Sequence, residues 1–212
     1  NPPGDEDVVV DVEWSGVSAG TERLLWSGRM PMFPGMGYPL VPGYESVGTI
    51  VDAGSSAKNL IGKRVFVPGA NCYTDVRGLF GGAARRIISS AHRVALIGDE
   101  CAAHEGVLLA LAATAQHALG AQGARAPELI IGHGALGRLL ARLTIAHGHK
   151  PPTVWDVDAT RRVGDFAYPV LDPEQDERRN YASIYDASGD AALIDTLICL
   201  LYTSDAADDT PC

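Results

Sequence analysis

The apolar positions along the chain fall into two rhythms. Residues 8–13 (VVVDVE) alternate, which puts Val8, Val10 and Val12 on one face of a strand. Runs at 47–51, 64–67, 84–88 and 93–96 follow as short β segments between glycine- and proline-bearing turns. Short strands with such turns predict a small barrel or sandwich. From Glu105 the period becomes helical. Residues 105–119 are rich in Ala and Leu and predict one largely buried helix. Residues 135–147 carry Leu136, Leu139, Leu140 and Leu143 at helical spacing and predict a second. Apolar strands are expected at 128–131, 153–157 and 184–187, and a last helix at 188–198. Strands alternating with helices predict a parallel sheet. The expected organisation is therefore a β domain over 1–97 and an α/β domain over 98–198.

Composition narrows the function classes. The 212 residues are 46% hydrophobic and 20% charged, which suits a globular protein with a real core. A net charge of −9 argues against a nucleic-acid partner, which calls for a basic face. No run reaches the roughly 18 apolar residues of a membrane span, and no signal segment opens the chain. Residues 199–209 read CLLYTSDAADD, which resembles the translated end of an adaptor used in DNA sequencing libraries. The tail 199–212 is therefore expected to be non-native. Setting it aside removes three aspartates and no base, so the charge becomes −6. Cys72 and Cys101 then remain, which make neither a disulfide framework nor a four-ligand metal site, and a reducing cytoplasm is expected. The chain also lacks an initial Met and stops within the second domain's pattern. It is expected to be a fragment, unstable and inactive alone, because half a parallel sheet leaves a central edge unpaired.

One motif carries chemistry. The strand at 128–131 runs into Gly132-His133-Gly134-Ala135-Leu136-Gly137, a G-x-G-x-x-G that follows a strand and opens a helix. Gly132 allows the tight turn, Gly134 lets backbone approach a pyrophosphate, and Gly137 lets the helix pack close to the strand. Leu136 lies in the helix's first turn, whose free N–H groups favour phosphate. Asp156 ends the next strand, 19 residues after Gly137, where an acid binds adenosine ribose hydroxyls. That acid favours NAD over NADP. Arg161 and Arg162 close by weigh the other way unless they are solvated.

With that motif in place, the chain resembles the medium-chain dehydrogenase/reductase family, a GroES-like β-barrel domain followed by a Rossmann doubly wound domain, here truncated. Pro42-Gly43-Tyr44-Glu45-Ser46-Val47-Gly48 is similar to the family's P-G-H-E-x-x-G, Gly62-Lys63-Arg64-Val65 to its G-D-R-V, and Gly81-Gly82-Ala83 to its G-G-x-A. At the family's catalytic-zinc positions stand Ser18, Tyr44 and Ala110, which cannot hold zinc as thiolate and imidazole do. The four-cysteine structural lobe is missing as well. The resemblance is thus to the zinc-independent branch, with no metal expected and NAD as cofactor. It places Tyr44 beside the substrate, as proton acceptor or relay or as a hydroxyl closing the vacated metal cavity. It makes Ser18, Thr21 and Glu45 neighbours of Tyr44, and it sets Thr114 near the nicotinamide.

Three longer strings, at 14–23, 33–45 and 68–82, narrow the resemblance to a family member that oxidises a hydroxyethyl group on a tetrapyrrole. Residues 26–38 agree with it on their own terms: Trp26, Met30, Met32, Phe33, Met36 and Tyr38 fall in thirteen positions without helical or strand period. Such side chains make an adaptable apolar surface for a flat macrocycle, or a loop that merely packs on the fold. Trp26, Met30, Phe33 and Tyr38 are the expected substrate contacts. Arg29 or Arg77 is either a partner for a substrate carboxylate or an ordinary surface arginine. Another zinc-independent alcohol dehydrogenase or quinone or enone reductase, and a nucleotide-binding relative without activity, stay open as readings, as does a homodimer.

Overall fold

A computed structural model describes residues 2–201. Of the tail read as foreign, 202–212 lie outside the described residues. The chain divides into two compact units, Asn1–Ala110 and Leu111–Cys212.

The first unit is built from β1 (Asp7–Ser15), α1 (Thr21–Trp26), β2 (Leu40–Val41), β3 (Ser46–Ala53), β4 (Arg64–Val67), β5 (Arg77–Gly78), β6 (Arg86–Ser90), β7 (Ala95–Leu96) and α2 (Ala103–Gly106). Five of these strands form an antiparallel sheet in the order β6-β1-β3-β4-β7, while β2 and β5 pair separately and in parallel. The alternation read at 8–13 sets its core: Val8 and Val10 pack with Ile50, Val65, Val67 and Ile87, and Val12 lies against them. The β1–β3 ladder shifts register between Val9 and Val10 and between Val12 and Trp14. Gly48 pairs with Val12 there, and a Cβ on it would come within 2.1 Å of the Asp11 carbonyl oxygen. The strands approach too closely for any side chain at that point.

The second unit holds α3 (Leu109–Gly120, whose first two residues fall in the first unit), β8 (Leu129–Ile131), α4 (Ala135–Ala146), β9 (Thr153–Trp155), α5 (Ala159–Arg162), β10 (Val170–Leu171), β11 (Ile184–Asp186) and α6 (Ile194–Leu200). Its sheet is parallel throughout, in the order β10-β9-β8-β11. The chain steps outward from β8 to β9 and β10 and then returns to β11 beside β8. That reversal is the switch point of a doubly wound sheet, where ligands bind beyond the carboxyl ends of the strands.

The structure corrects several sequence expectations. The division between units falls beyond the expected 97/98 boundary, because α2 packs on β1 and β3. Gly106 permits it: a Cβ there would lie 2.7 Å from Ile97 Cδ1 and 3.2 Å from Val47 Cγ2. The single helix expected at 105–119 is two pieces, since the Leu108 N–H bonds to Glu105 O in a tight turn rather than continuing the α ladder. The helix expected at 188–198 begins later. Asp186 accepts the Ser188 N–H, Gly189 is left-handed at φ +74, and a 3₁₀ turn at Ala191–Leu193 precedes α6. Residues 26–38 are not wholly aperiodic, because Trp26 closes α1.

One polar cluster is buried beside the apolar group that includes Leu197 and Leu200 of α6. Asp176 is buried and accepts the Trp155 indole N–H at 2.7 Å and the Tyr181 hydroxyl. Burial pushes its carboxyl up, but the hydrogen bonds from Tyr181, the Arg178 backbone and Trp155 outweigh this and hold it below the ordinary value. Such stabilisation is present above the ordinary aspartate range and is lost as pH falls through the lowered value. Asp176→Ala strands two buried donors and is expected to cost about 2–4 kcal/mol at neutral pH. Urea unfolding of the variant checks this, and a loss below about 0.5 kcal/mol, the scatter of ordinary surface substitutions, contradicts it.

Candidate functional site

The glycine-rich turn sits where β8 hands over to α4. Gly132 is left-handed at φ +93, and a Cβ on it would approach Ala187 O at 2.9 Å. A Cβ on Gly137 would lie 1.8 Å from Gly132 O, so only glycine lets α4 start this close to the strand it follows. Gly134 is the N-cap residue of α4, and a Cβ on it would meet a single atom, Arg161 Nη1, at 3.9 Å. The turn therefore shows bare backbone N–H groups at the positive end of a three-turn helix. A pocket of about 350 Å³ opens there, lined among others by Gly132, Gly134, Asp156, Val157, Arg161 and Ser188. Its size and bare backbone fit the phosphate and ribose portion of a dinucleotide.

Asp156 does more than the sequence implied. Its Oδ2 accepts the His133 N–H at 2.7 Å and its Oδ1 the Asp158 N–H at 2.8 Å. Each carboxylate oxygen has a second lone pair, so the group ties two loops together and can still accept a ribose hydroxyl. Arg162 is structural, donating to Asp156 O and pairing with Asp172. Arg161 is not merely solvated: its guanidinium lines the pocket, 3.7 Å from Asp156 Oδ2 and 3.5 Å from Asp158 Oδ2. The Leu136 side chain packs on the apolar cluster beneath α4, which leaves its backbone N–H as its means of contacting a phosphate. Thr114 is on the exposed side of α3 and is not among the residues lining this pocket.

In the first unit, the structure brings Ser18, Thr21 and Tyr44 together. Ser18 Oγ accepts the Thr21 N–H at 3.2 Å, and the Tyr44 hydroxyl donates to Thr21 Oγ1 at 3.4 Å. Tyr44 is held edge-on to Phe80, with ring centres 5.0 Å apart. Glu45 lies elsewhere: it is buried against Gly16, on which a Cβ would meet Glu45 Oε2 at 2.4 Å. Burial, aided by the charge of Glu22, raises its carboxyl above the ordinary range. Glu22 Oε2 is itself buried without a hydrogen-bond partner. Glu22 lines an apolar pocket of about 380 Å³ with Trp26 and Tyr38, whereas Met30 and Phe33 are outside that lining. Trp26 is 89% exposed, and the Tyr38 hydroxyl is spent on Leu25 O. Arg77 crosses Gly37 and donates to Gly35 O, so it braces the 33–37 turn. Among the described residues, no three His, Cys, Asp or Glu side chains are grouped to hold a metal ion.

Two residues of these sites escaped sequence reasoning. Glu22 has no motif to mark it. His133 carries a signal in sequence, a large polar ring in a turn whose work needs backbone only.

Comparisons with known proteins bear on both units. Residues 4–99 match the alcohol dehydrogenase GroES-like domain. Over 197 residues the chain is 57% identical to the 2-desacetyl-2-hydroxyethyl bacteriochlorophyllide A dehydrogenase of Rhodobacter capsulatus, covering 92% of this chain and 62% of that protein. The protein of the same name from Cereibacter sphaeroides is 55% identical over 206 residues, covering 95% and 64%. The chain thus spans less than two thirds of the length of these curated relatives. The structure of acetophenone reductase from Geotrichum candidum, in complex with NAD, superposes with a TM-score of 0.74 at 22% identity, covering 95% of this chain and 67% of that one. At such identity the match speaks for the fold alone.

Gly137→Ala tests the close approach at the glycine-rich turn. The clash with Gly132 O is expected to cost about 2 kcal/mol or more, in the range of overpacked cores. Thermal unfolding at equal protein concentration measures it, and an unchanged melting temperature contradicts it.

Proposed function

We propose that the chain, whose residues 4–99 match the alcohol dehydrogenase GroES-like domain, is part of an NAD-dependent dehydrogenase of bacteriochlorophyll biosynthesis. The enzyme oxidises the 3-(1-hydroxyethyl) group of a bacteriochlorophyllide a precursor to 3-acetyl. The observation that carries the substrate is the 57% identity over 197 residues to a dehydrogenase named for that hydroxyethyl compound. The cofactor reading is supported by the glycine-rich turn at the switch point of a parallel sheet, with Asp156 beside it.

Gly132, Gly134 and Gly137 shape the turn, the first N–H groups of α4 at Ala135 and Leu136 hold phosphate, and Asp156 accepts from the adenosine ribose. Asp156 favours NAD. Arg161 at its side favours a 2′-phosphate and is the observation behind NADP as second cofactor. Thr114 contacts the nicotinamide end. When bound, the nicotinamide supplies a hydride acceptor for the carbinol carbon.

The chain's own residues handle the proton. As the carbinol carbon gives up its hydride, the alcohol O–H passes its proton to Tyr44 Oη, Tyr44 passes its own to Thr21 Oγ1, and the half-buried Thr21 releases its hydroxyl proton to water, so that ketone and one proton form as the nicotinamide takes up two electrons. Ser18 fixes the Thr21 backbone so that its hydroxyl meets Tyr44. Glu45, buried against Gly16 with its carboxyl raised above the ordinary range, stands outside this hydroxyl chain. Trp26 and Tyr38, with Met30 and Phe33 near them in sequence, give the macrocycle an apolar face. A homodimer and a cytoplasmic location accompany this reading. No described helix is long and apolar enough to cross a membrane.

The pigment precursor and NAD, added to the full-length enzyme that carries these residues, are expected to give a red-shifted absorption as the acetyl carbonyl joins the macrocycle's conjugation. No shift with a folded, nucleotide-binding protein refutes the substrate. In the same assay Tyr44→Phe is expected to lower turnover by about 100-fold, the lower end of general acid–base contributions. A rate within about two-fold of the parent at every pH, far short of that contribution, ends the relay role.

A further inference from the structure

We infer that His133 is a positioning residue for the dinucleotide, a neutral imidazole that locks the glycine-rich turn to the Asp156–Arg162 segment so that phosphate and ribose are met by one rigid unit. This rests on the nicotinamide-cofactor reading above. His133 is fully buried, at a position of the turn where the backbone alone contacts a ligand. Its ring is nonetheless fully used. Nδ1 lies 2.6 Å from Arg161 O, which can only accept, so Nδ1 carries the proton. In the neutral ring Nε2 is then an acceptor, and the Tyr168 hydroxyl 3.0 Å away donates to it. Phe166 and Tyr168 close on the ring edge-on, with ring centres 4.6 and 5.6 Å from its own.

The backbone of His133 is equally committed. Its N–H donates to Asp156 Oδ2, and its carbonyl accepts Arg138 Nε at 3.1 Å. One residue thus ties together the start of α4, the end of β9, the end of α5 and the segment before β10. Asp156, the proposed ribose acceptor, and Arg161, whose side chain lines the same pocket, are held by the two ends of that residue.

The charge state follows from the surroundings. Burial disfavours the imidazolium most, and Arg138 and Arg142 on α4 add repulsion. The Arg161 carbonyl and the Asp156 carboxylate favour it but do not outweigh these, so the ring titrates below the ordinary imidazole value of 6.5. The clamp is complete above that value and weakens as pH falls below it, where protonation of the ring is paid for by loss of the closed arrangement.

The test is NADH and NADPH binding to the full-length enzyme that carries these residues, followed by nucleotide fluorescence at pH 7.5 and pH 5.5. The parent is expected to bind more weakly at the lower pH, since ring protonation and binding compete. His133→Asn keeps an amide donor for Arg161 O and does not titrate. It is expected to bind within about three-fold of the parent at the higher pH and to lose the pH dependence, as a retained hydrogen bond predicts. His133→Leu removes both ring bonds and is expected to bind about ten-fold more weakly at both pH values. A His133→Leu chain that is folded and binds like the parent overturns the positioning role and leaves the cofactor reading standing. A folded full-length parent that binds neither nucleotide overturns both. Should the leucine variant fail to fold, imidazole nitrogen shifts of the parent decide the matter: a neutral Nδ1–H ring at pH 7 supports the clamp, and an imidazolium overturns it.

Discussion

The carboxylate of Asp156 is the constraint on which the second unit's site depends. It directly follows β9, and its oxygens reach the backbone of the turn after β8 and of the turn that leads into α5. Two strand-end loops that would otherwise move separately share one anion. A loop with free N–H groups is a usable phosphate cradle only when those groups are held before the ligand arrives, because ordering them on binding subtracts from affinity. The doubly wound order of the sheet brings the two loops side by side, and the carboxylate fixes them there.

The first unit obeys a different logic. Its sheet buries valines and isoleucines in ordinary fashion, but it gathers hydroxyls around Tyr44 and buries the Glu45 carboxyl beside Gly16. Ser18, Thr21 and Tyr44 form a short neutral hydrogen-bonded chain. Glu22 and Glu45 oppose each other where water is scarce. A carboxyl raised by burial works against folding at neutral pH. The pair is therefore a cost that the unit's core carries.

Much of this was legible in the residues. The period-two run at 8–13 names the face that becomes the first core, and the G-x-G-x-x-G at 132–137 locates the pocket at the switch point because each glycine has a steric task that no other residue can perform. What was hidden depends on distant parts of the chain. Nothing local to Gly106 says that Ile97 and Val47 will press on it, so the helix at 105–119 reads as continuous. The two-residue strand β10 carries no period at all. Glu22 reads as an ordinary helix-start acid until the fold buries Glu45 nearby. The spacing of Asp156 from the glycine turn shows its part toward a ligand, while its part toward the backbone depends on two loops that only the fold brings together.

The tryptophans add an optical consequence. Trp14 and Trp26 stand in the first unit at 54% and 89% exposure, while Trp155 of the second is 6% exposed and hydrogen-bonded to Asp176. Water relaxes around the first two indoles and cannot do so around the third. The units therefore carry emitters of different colour: red-edge emission reports events at the apolar surface near Trp26, and blue-edge emission reports the integrity of the parallel sheet. A single spectrum, resolved by wavelength, distinguishes loss of one unit from loss of the other without any added label.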